Sequence, residues 1–274
     1  MNDVLIASNS ADAAAVETVR SHHAELAGAL TAKVSALAAA VRNGQDATGA
    51  RDDLATWCAT DLLPHARAEE KALYPAALAI PRSRMLVEAM LAEHQVLTEL
   101  ADRVARATDA VEAVGAAIAL KAVFDSHLEK ENEQVLPVLA EASDVALADL
   151  LQGMHEALEA DEAAAAAGHG HDHGHGHGHG HGHGHGHGHS CTCGEQDAAG
   201  DPELDTRLIP HAIRHATIFG ALDAVRPGAG LVISASHDPL PLLAQIEQRT
   251  PGAFAIEYLE RGPETWRLRF ARQA

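Results

Sequence analysis

The chain is poor in cysteine, in aromatic side chains and in positive charge. Three cysteines among 274 residues, Cys58, Cys191 and Cys193, are too few and too unevenly placed to staple a fold. Lysine and arginine number 20 against 39 acids, for a formal charge of −19. A surface that tracks nucleic-acid phosphates needs clustered bases, so nucleic acid is not an expected partner. No uninterrupted apolar run reaches the roughly 18 residues that a spanning helix needs, and the first residues lack the basic and apolar regions of a secretory signal. The expected setting is cytoplasmic, with no membrane contact.

What is abundant is histidine. Of 20 histidines, 11 alternate with glycine between His169 and His189, and nine are scattered over the rest. The tract separates two segments of different character: residues 1–160 carry 25 acids and 12 bases, residues 201–274 nine and eight. This predicts two domains and a linker, 1–166, 167–202 and 203–274. The first segment has apolar residues at three- and four-residue spacings and predicts helices near 11–42, 48–79, 82–107, 110–141 and 144–166, the first four forming an up-down bundle. In the last segment the runs ELDTRLI, GLVISAS, FAIEYLE and TWRLRFA alternate as strands, and two proline-opened stretches read as helices. The order β-α-β-α-β-β predicts a two-layer sandwich with both helices on one face, making the chain a multi-domain α plus α/β protein.

Within the helical segment a motif recurs. PHARAEEKALYP (Pro64–Pro75) and SHLEKENEQVLP (Ser126–Pro137) share His, three residues, Glu, five residues, Pro. His65 and Glu69 correspond to His127 and Glu131, and the i,i+4 spacing puts each pair on one helix face. HAEL and HQVL, at His23 and His94, repeat in the intervening helices, so helices one and two resemble helices three and four. All six residues fall inside apolar stripes and converge on one core. Carboxylates buried there without partners would cost several kcal/mol each, which calls for metal or a compensating network. Imidazole plus carboxylate without thiolate suits iron or manganese, and two carboxylates suit two ions. His22 competes with His23 for the first ligand position, but lies about 100° around the helix from the stripe. Glu70, whose repeat counterpart is Asn132, either supports a ligand or is solvated, and Cys58 reads as a small core residue.

With HHAEL, LLPHARAEEKALYP, AEHQVLTEL and HLEKENEQVLP in place, residues 15–140 resemble the hemerythrin HHE cation-binding family. The resemblance implies a left-twisted four-helix bundle with two non-haem irons, oxo- and carboxylate-bridged, that bind dioxygen or nitric oxide. Oxygen-carrying hemerythrins have a further histidine one turn after that of the third helix; here the position is Thr98. One histidine fewer leaves an open coordination position and favours sensing, redox or iron handling over reversible oxygen carriage. Binding of dioxygen, nitric oxide or peroxide for sensing or stress response is the leading expectation. Storage or delivery of iron or other transition metals, including repair of iron-sulfur clusters, is the alternative, and a di-iron peroxidase or nitric oxide reductase ranks third. No nucleophile paired with a base and no organic-substrate pocket is recognisable, so turnover is not the favoured role.

The tract offers His169, His171, His173, His175, His177, His179, His181, His183, His185, His187 and His189 with no apolar side chain among them, which predicts a disordered, hydrated linker able to chelate Ni, Zn or Cu. Cys191 and Cys193 add two soft donors. Residues 203–272 resemble the domain of unknown function 2249 family, related in fold to small sulfur carriers of the TusA kind. Those carriers place a cysteine before the proline that opens the first helix, whereas this chain has Ile209-Pro210 and no cysteine in the domain, which excludes persulfide transfer. The remaining polar residues, His211, Arg214, His215, His237 and Asp238, form either a second small-ligand or metal site or a solvated face with Asp238 as a helix cap; the domain is also an expected docking face for a protein partner.

Overall fold

Helix formation in the first segment follows its caps and its prolines. The computed structural model describes residues 7–154, 201–209 and 213–273. Helix α1 (Ser10–Arg42) opens at Asn9, whose side chain accepts from the Asp12 N–H at 2.9 Å. It ends at Asn43-Gly44, where Gly44 takes the φ of 66° that the reversal requires. The second segment comprises α2 (Thr48–Trp57), a π turn (Cys58–Leu62), α3 (Leu63–Ala72) and α4 (Tyr74–Ala79). Helix α5 (Arg84–Arg106) is the third. The fourth comprises α6 (Ala110–Lys130), capped by Asp109, a π turn (Glu131–Val135) and α7 (Leu136–Glu141). Helix α8 covers 147–154 of the described residues.

The continuous helices expected over 48–79 and 110–141 are thus interrupted, and proline is the reason. Pro64 and Pro137 lack an N–H, and in a regular helix their rings would collide with the carbonyl four residues back. A turn widened by one residue, with the Leu63 N–H bonded to Cys58 O and the Leu136 N–H to Glu131 O, lets each helix pass. At Pro75 the helix instead breaks at Leu73.

The four long segments pack antiparallel around two apolar clusters. One holds Leu26, Leu30, Leu54, Leu62, Leu97, Leu120 and Phe124; the other holds Val16, Val19, Leu73, Val87, Met90, Val135 and Leu136. Along every segment the histidines fall between the two, so a polar layer is sealed by hydrocarbon above and below. Leu147, Leu151 and Met154 of α8 close the second cluster, and buried Asp12 ties α8 to α1 by accepting the Ala148 N–H at 3.0 Å.

In the C-terminal part, β1 (Glu203–Asp205), a 3-10 turn (Thr206–Leu208), α9 (Arg214–Asp223), β2 (Gly230–Ala235), α10 (Leu240–Arg249), β3 (Phe254–Arg261) and β4 (Trp266–Arg272) follow the expected order. The sheet runs β1-β2-β4-β3, with β1 parallel to β2 and the other pairs antiparallel. Alternation places Leu204, Leu231, Ile233, Leu268 and Phe270 on the face covered by Ile218, Leu222, Leu242 and Ile246 of both helices. The ion pairs Arg267–Glu203 and Arg269–Asp201 belong to the same three strands and their flank.

The two parts are docked, which the linker did not foretell. Helix α9 crosses α1 where Gly28 meets the Thr217 carbonyl and Gly220 meets that of Glu25; a Cβ at either glycine would overlap the opposing backbone. Arg226 donates to Gly49 O at 2.6 Å and pairs with Asp53, fastening the edge of the contact. By length and composition α1 alone among the described helices could cross a membrane, but half of its most apolar stretch is buried.

Candidate metal centre

His23, His65, Glu69, His94, His127 and Glu131 lie in one layer, each no more than 4% exposed. The stripe spacing explains their convergence: each occupies the position of an apolar contact residue, so helix packing itself drives it inward. Glu69 stands in the middle. Its Oε1 is 2.8 Å from His65 Nε2 and 3.4 Å from His23 Nε2, and its Oε2 is 3.6 Å from His94 Nε2. Glu131 Oε2 lies 3.6 Å from His23 Nε2 and 3.8 Å from His127 Nε2. The donors therefore form two trios, His23, His65, Glu69 and Glu69, His94, His127, sharing one carboxylate.

These short distances are not all hydrogen bonds. His23 Nε2, His65 Nε2, Glu69 Oε1 and Glu131 Oε2 are buried with no hydrogen-bond partner among the described residues. Buried polar atoms that converge without hydrogen-bond partners are what a shared cation would satisfy. Donors bound at about 2.0–2.2 Å to one ion sit roughly 3 Å apart when at right angles, the scale seen here. Three of the four histidines have an acceptor on the far side of the ring. His94 donates from Nδ1 to Glu70 Oε1 at 2.8 Å, His127 to Glu93 Oε2 at 3.1 Å and His23 to Asn132 Oδ1 at 2.8 Å. With Nδ1 protonated, the Nε2 lone pairs of His94 and His127 confront each other at 3.0 Å, a repulsion that a cation between them removes. The donor set fits a metal on these grounds.

Electrostatics without metal agree. Burial pushes His127 down to about 4, keeping the imidazole neutral. Burial opposes ionisation of both carboxylates, but His65 and His23 overcome it and hold Glu69 well below the usual range, while burial and then the Glu69 charge push Glu131 well above it. Tyr74 is pushed up by burial and by Glu131, so its phenol stays a donor.

Tyr74 is the residue the sequence reading missed. Its Oη donates to Glu131 Oε1 at 2.8 Å and lies 3.2 Å from His127 Nε2 and 3.4 Å from His94 Nε2. The signal was present: Tyr74-Pro75 aligns with Leu136-Pro137, so a hydroxyl stands where the repeat has hydrocarbon. Glu93 was missed as well. Glu70 lies behind His94 and accepts from its Nδ1. Thr98 donates to its own helix at His94 O, at 2.9 Å.

His22 is half-buried beside the centre, its ring edge-on to His65 at 5.0 Å between centroids. It also lines a cleft of about 530 Å³ at the junction of the two parts, with Trp57 and Arg226. Cys58 is buried and its thiol is pushed up to about 12 by that burial, consistent with a core role. In the C-terminal part the described polar residues are not gathered into a metal-binding group. Arg214 donates to Ile209 O at 2.8 Å, His215 is exposed against Phe219, and His237 contacts Ser236. Asp238 is not a helix cap: α10 begins at Leu240 with Pro239 in the cap position and no side-chain cap, and Asp238 accepts from Tyr258 Oη at 2.9 Å, a phenol out-competing the backbone. His211, the Gly-His tract, Cys191 and Cys193 lie outside the described residues.

Comparison with known families gives two matches. Residues 14–139 match the hemerythrin HHE cation binding domain, and residues 203–272 match an uncharacterized conserved family, DUF2249. No curated protein and no solved structure matches the chain.

Proposed function

Because residues 14–139 are a hemerythrin HHE cation binding domain joined to a DUF2249 domain at 203–272, we propose that the chain holds two non-haem iron ions in its bundle and binds dioxygen, nitric oxide or peroxide there, for sensing or stress response. The observation that carries this reading is Glu69, which turns one oxygen toward His23 and His65 and the other toward His94. His23, His65 and Glu69 would hold one ion, His94, His127 and Glu69 the other, with Glu131 between. Iron supplies the open coordination positions and one-electron chemistry that small diatomic ligands need.

The chain's own groups do the rest. The two apolar clusters exclude water from the layer, and Glu70, Glu93 and Asn132 hold the imidazole protons at Nδ1 so that each Nε2 faces inward. Tyr74 keeps a proton at Oη on Glu131, within reach of anything bound beside His94 and His127. Helix α5 supplies one histidine to the layer rather than two, which supports sensing over carriage. The close approach of α9 to the helix that carries His23 supports a C-terminal domain that responds to the centre or presents it to a partner.

The test is anaerobic Fe(II) loading of the full chain, a mild chelator wash, and iron counting with near-ultraviolet spectra after oxidation. Two irons per chain and a ligand-to-metal charge-transfer band are expected, both lost in Glu69→Ala and Glu131→Ala and kept in His22→Ala. Two irons and an unaltered band in the glutamate variants would overturn the assignment.

A further inference from the structure

The duplicated halves of the bundle are alike in their ligands and unlike in what stands behind them. Aligning His22-His23 with Glu93-His94, and His65, Glu69 and Glu70 with His127, Glu131 and Asn132, pairs every ligand with a ligand. It also pairs two positions that are not ligands, 22 with 93 and 70 with 132. The structure puts all four of these residues to equivalent use. Glu70 of the second segment backs His94, and its counterpart Asn132 of the fourth backs His23. Glu93, next to His94, backs His127, and its counterpart His22, next to His23, lies against His65.

The geometry is shared but the chemistry is not. Both imidazoles of one trio donate to carboxylates, at 2.8 and 3.1 Å. In the other, His23 donates to a neutral amide at 2.8 Å, and His65 Nδ1 is buried without a hydrogen-bond partner among the described residues. Neighbouring cations reinforce the contrast on one side and temper it on the other. Arg20 donates to Asn132 O at 2.8 Å, bringing behind His23 a positive charge that Glu17 and Glu133, at 3.4 and 3.6 Å, partly offset. Lys130 shares Glu93 and reduces its effect, while Glu70, 39% exposed, acts on His94 directly. A carboxylate accepting the Nδ1 proton raises the electron density at Nε2 and so the strength of the metal bond; an amide does so far less.

From this we propose that the two metal positions are unequal by construction: the one held by His94 and His127 fills first and keeps its ion, and the one held by His23 and His65 exchanges, with residues 22, 70, 93 and 132 setting the order. The inference rests on the two-iron reading above.

The full chain, loaded anaerobically with ⁵⁷Fe(II), is titrated with a competing chelator while retained iron is counted and its Mössbauer spectrum recorded. The Gly-His tract is common to all variants, so differences between variants belong to the bundle. The wild-type chain is expected to release its bundle irons in two steps at least about 10-fold apart, the later iron giving a single environment. Glu70→Gln should weaken the tighter step by about 10–100-fold and leave the other unmoved. Asn132→Asp and His22→Glu should each tighten the weaker step. Release of both irons in one step, or a Glu70→Gln effect on the weaker step, would overturn the inference while leaving the two-iron reading intact. A wild-type chain that retains no iron past the weakest chelator would overturn that reading and the inference with it.

Discussion

Acid should unfold the metal-free bundle through His127 before it touches most of the carboxylates. Burial pushes this imidazole from 6.5 down to about 4 in the folded chain, with His94 adding to the effect and Glu69 and Glu93 opposing it. Above pH 6.5 the group is neutral folded or unfolded, so its contribution is complete. Between 6.5 and 4 the unfolded chain takes up a proton that the folded chain refuses, and stability is lost as pH falls. At about 1.4 kcal/mol per unit, the span from 6.5 to 4 amounts to about 3 kcal/mol, a large part of the 5–15 kcal/mol that a domain usually has. The assay is urea unfolding of the chelator-treated full chain at pH 7, 6, 5 and 4, compared with His127→Gln, which cannot titrate. The difference between the two should move by about 3 kcal/mol across that range in the direction of wild-type loss. Glu131→Gln is the control of opposite sign. Glu131 is pushed up by burial and the Glu69 charge, so its contribution is present below about 4.5 and lost as pH rises toward its folded value; the variant should gain on wild type with rising pH. A wild-type to His127→Gln difference that is flat from pH 7 to 4 would refute the reasoning.

Replacing Tyr74 by Phe leaves Glu131 Oε1 buried without its 2.8 Å donor and should cost the metal-free chain about 1–3 kcal/mol, read by chemical denaturation. Gly220→Leu cannot be accommodated against Glu25 O; it should undock α9 from α1, cost about 1–3 kcal/mol, and expose the junction to limited proteolysis without loss of bundle iron. The 11 imidazoles of the Gly-His tract should take up Ni or Zn weakly at about pH 7.5 and release it by about pH 5.5, because an unperturbed imidazole protonates at about pH 6.5 and then ceases to ligate. Equal uptake by the full chain and by a chain lacking 168–193, measured by calorimetry at both pH values, would leave the tract without a metal role.

The parts of this protein that were legible in its sequence are those set by local period. A helical stripe interrupted by a histidine and, four residues on, a glutamate can face only inward, which is why His65, Glu69, His127 and Glu131 could be gathered from spacing. The 100° step between His22 and His23 was enough to tell which of them faces Glu69. Strands and helices of the C-terminal part followed the switch from period 3.6 to period 2. The π turns were not legible, because the widening at Cys58–Leu62 and Glu131–Val135 is a response to proline that depends on how the neighbouring segments hold the chain. Nor was the Gly28–Gly220 crossing, since two glycines 192 positions apart carry no joint signal until both helices exist.

The bonds between residues far apart in the chain were illegible for a further reason. Asp238 before Pro239 has the local form of a cap, and only the fold brings Tyr258 to it. Tyr74 in an apolar stripe reads as core, and it is core, yet its hydroxyl lies on Glu131. The repeat offers the missing leverage. Aligned halves predict what each position should do, so a position where they disagree in chemistry marks where the symmetry of the fold has been broken. Tyr74 against Leu136, His22 against Glu93 and Glu70 against Asn132 are such positions: Tyr74 lies on Glu131, His22 against His65, Glu93 on His127, Glu70 on His94 and Asn132 on His23. In a bundle built from two like halves the matching residues mark the candidate metal centre, and the disagreements around them are where its two trios of donors differ in their surroundings.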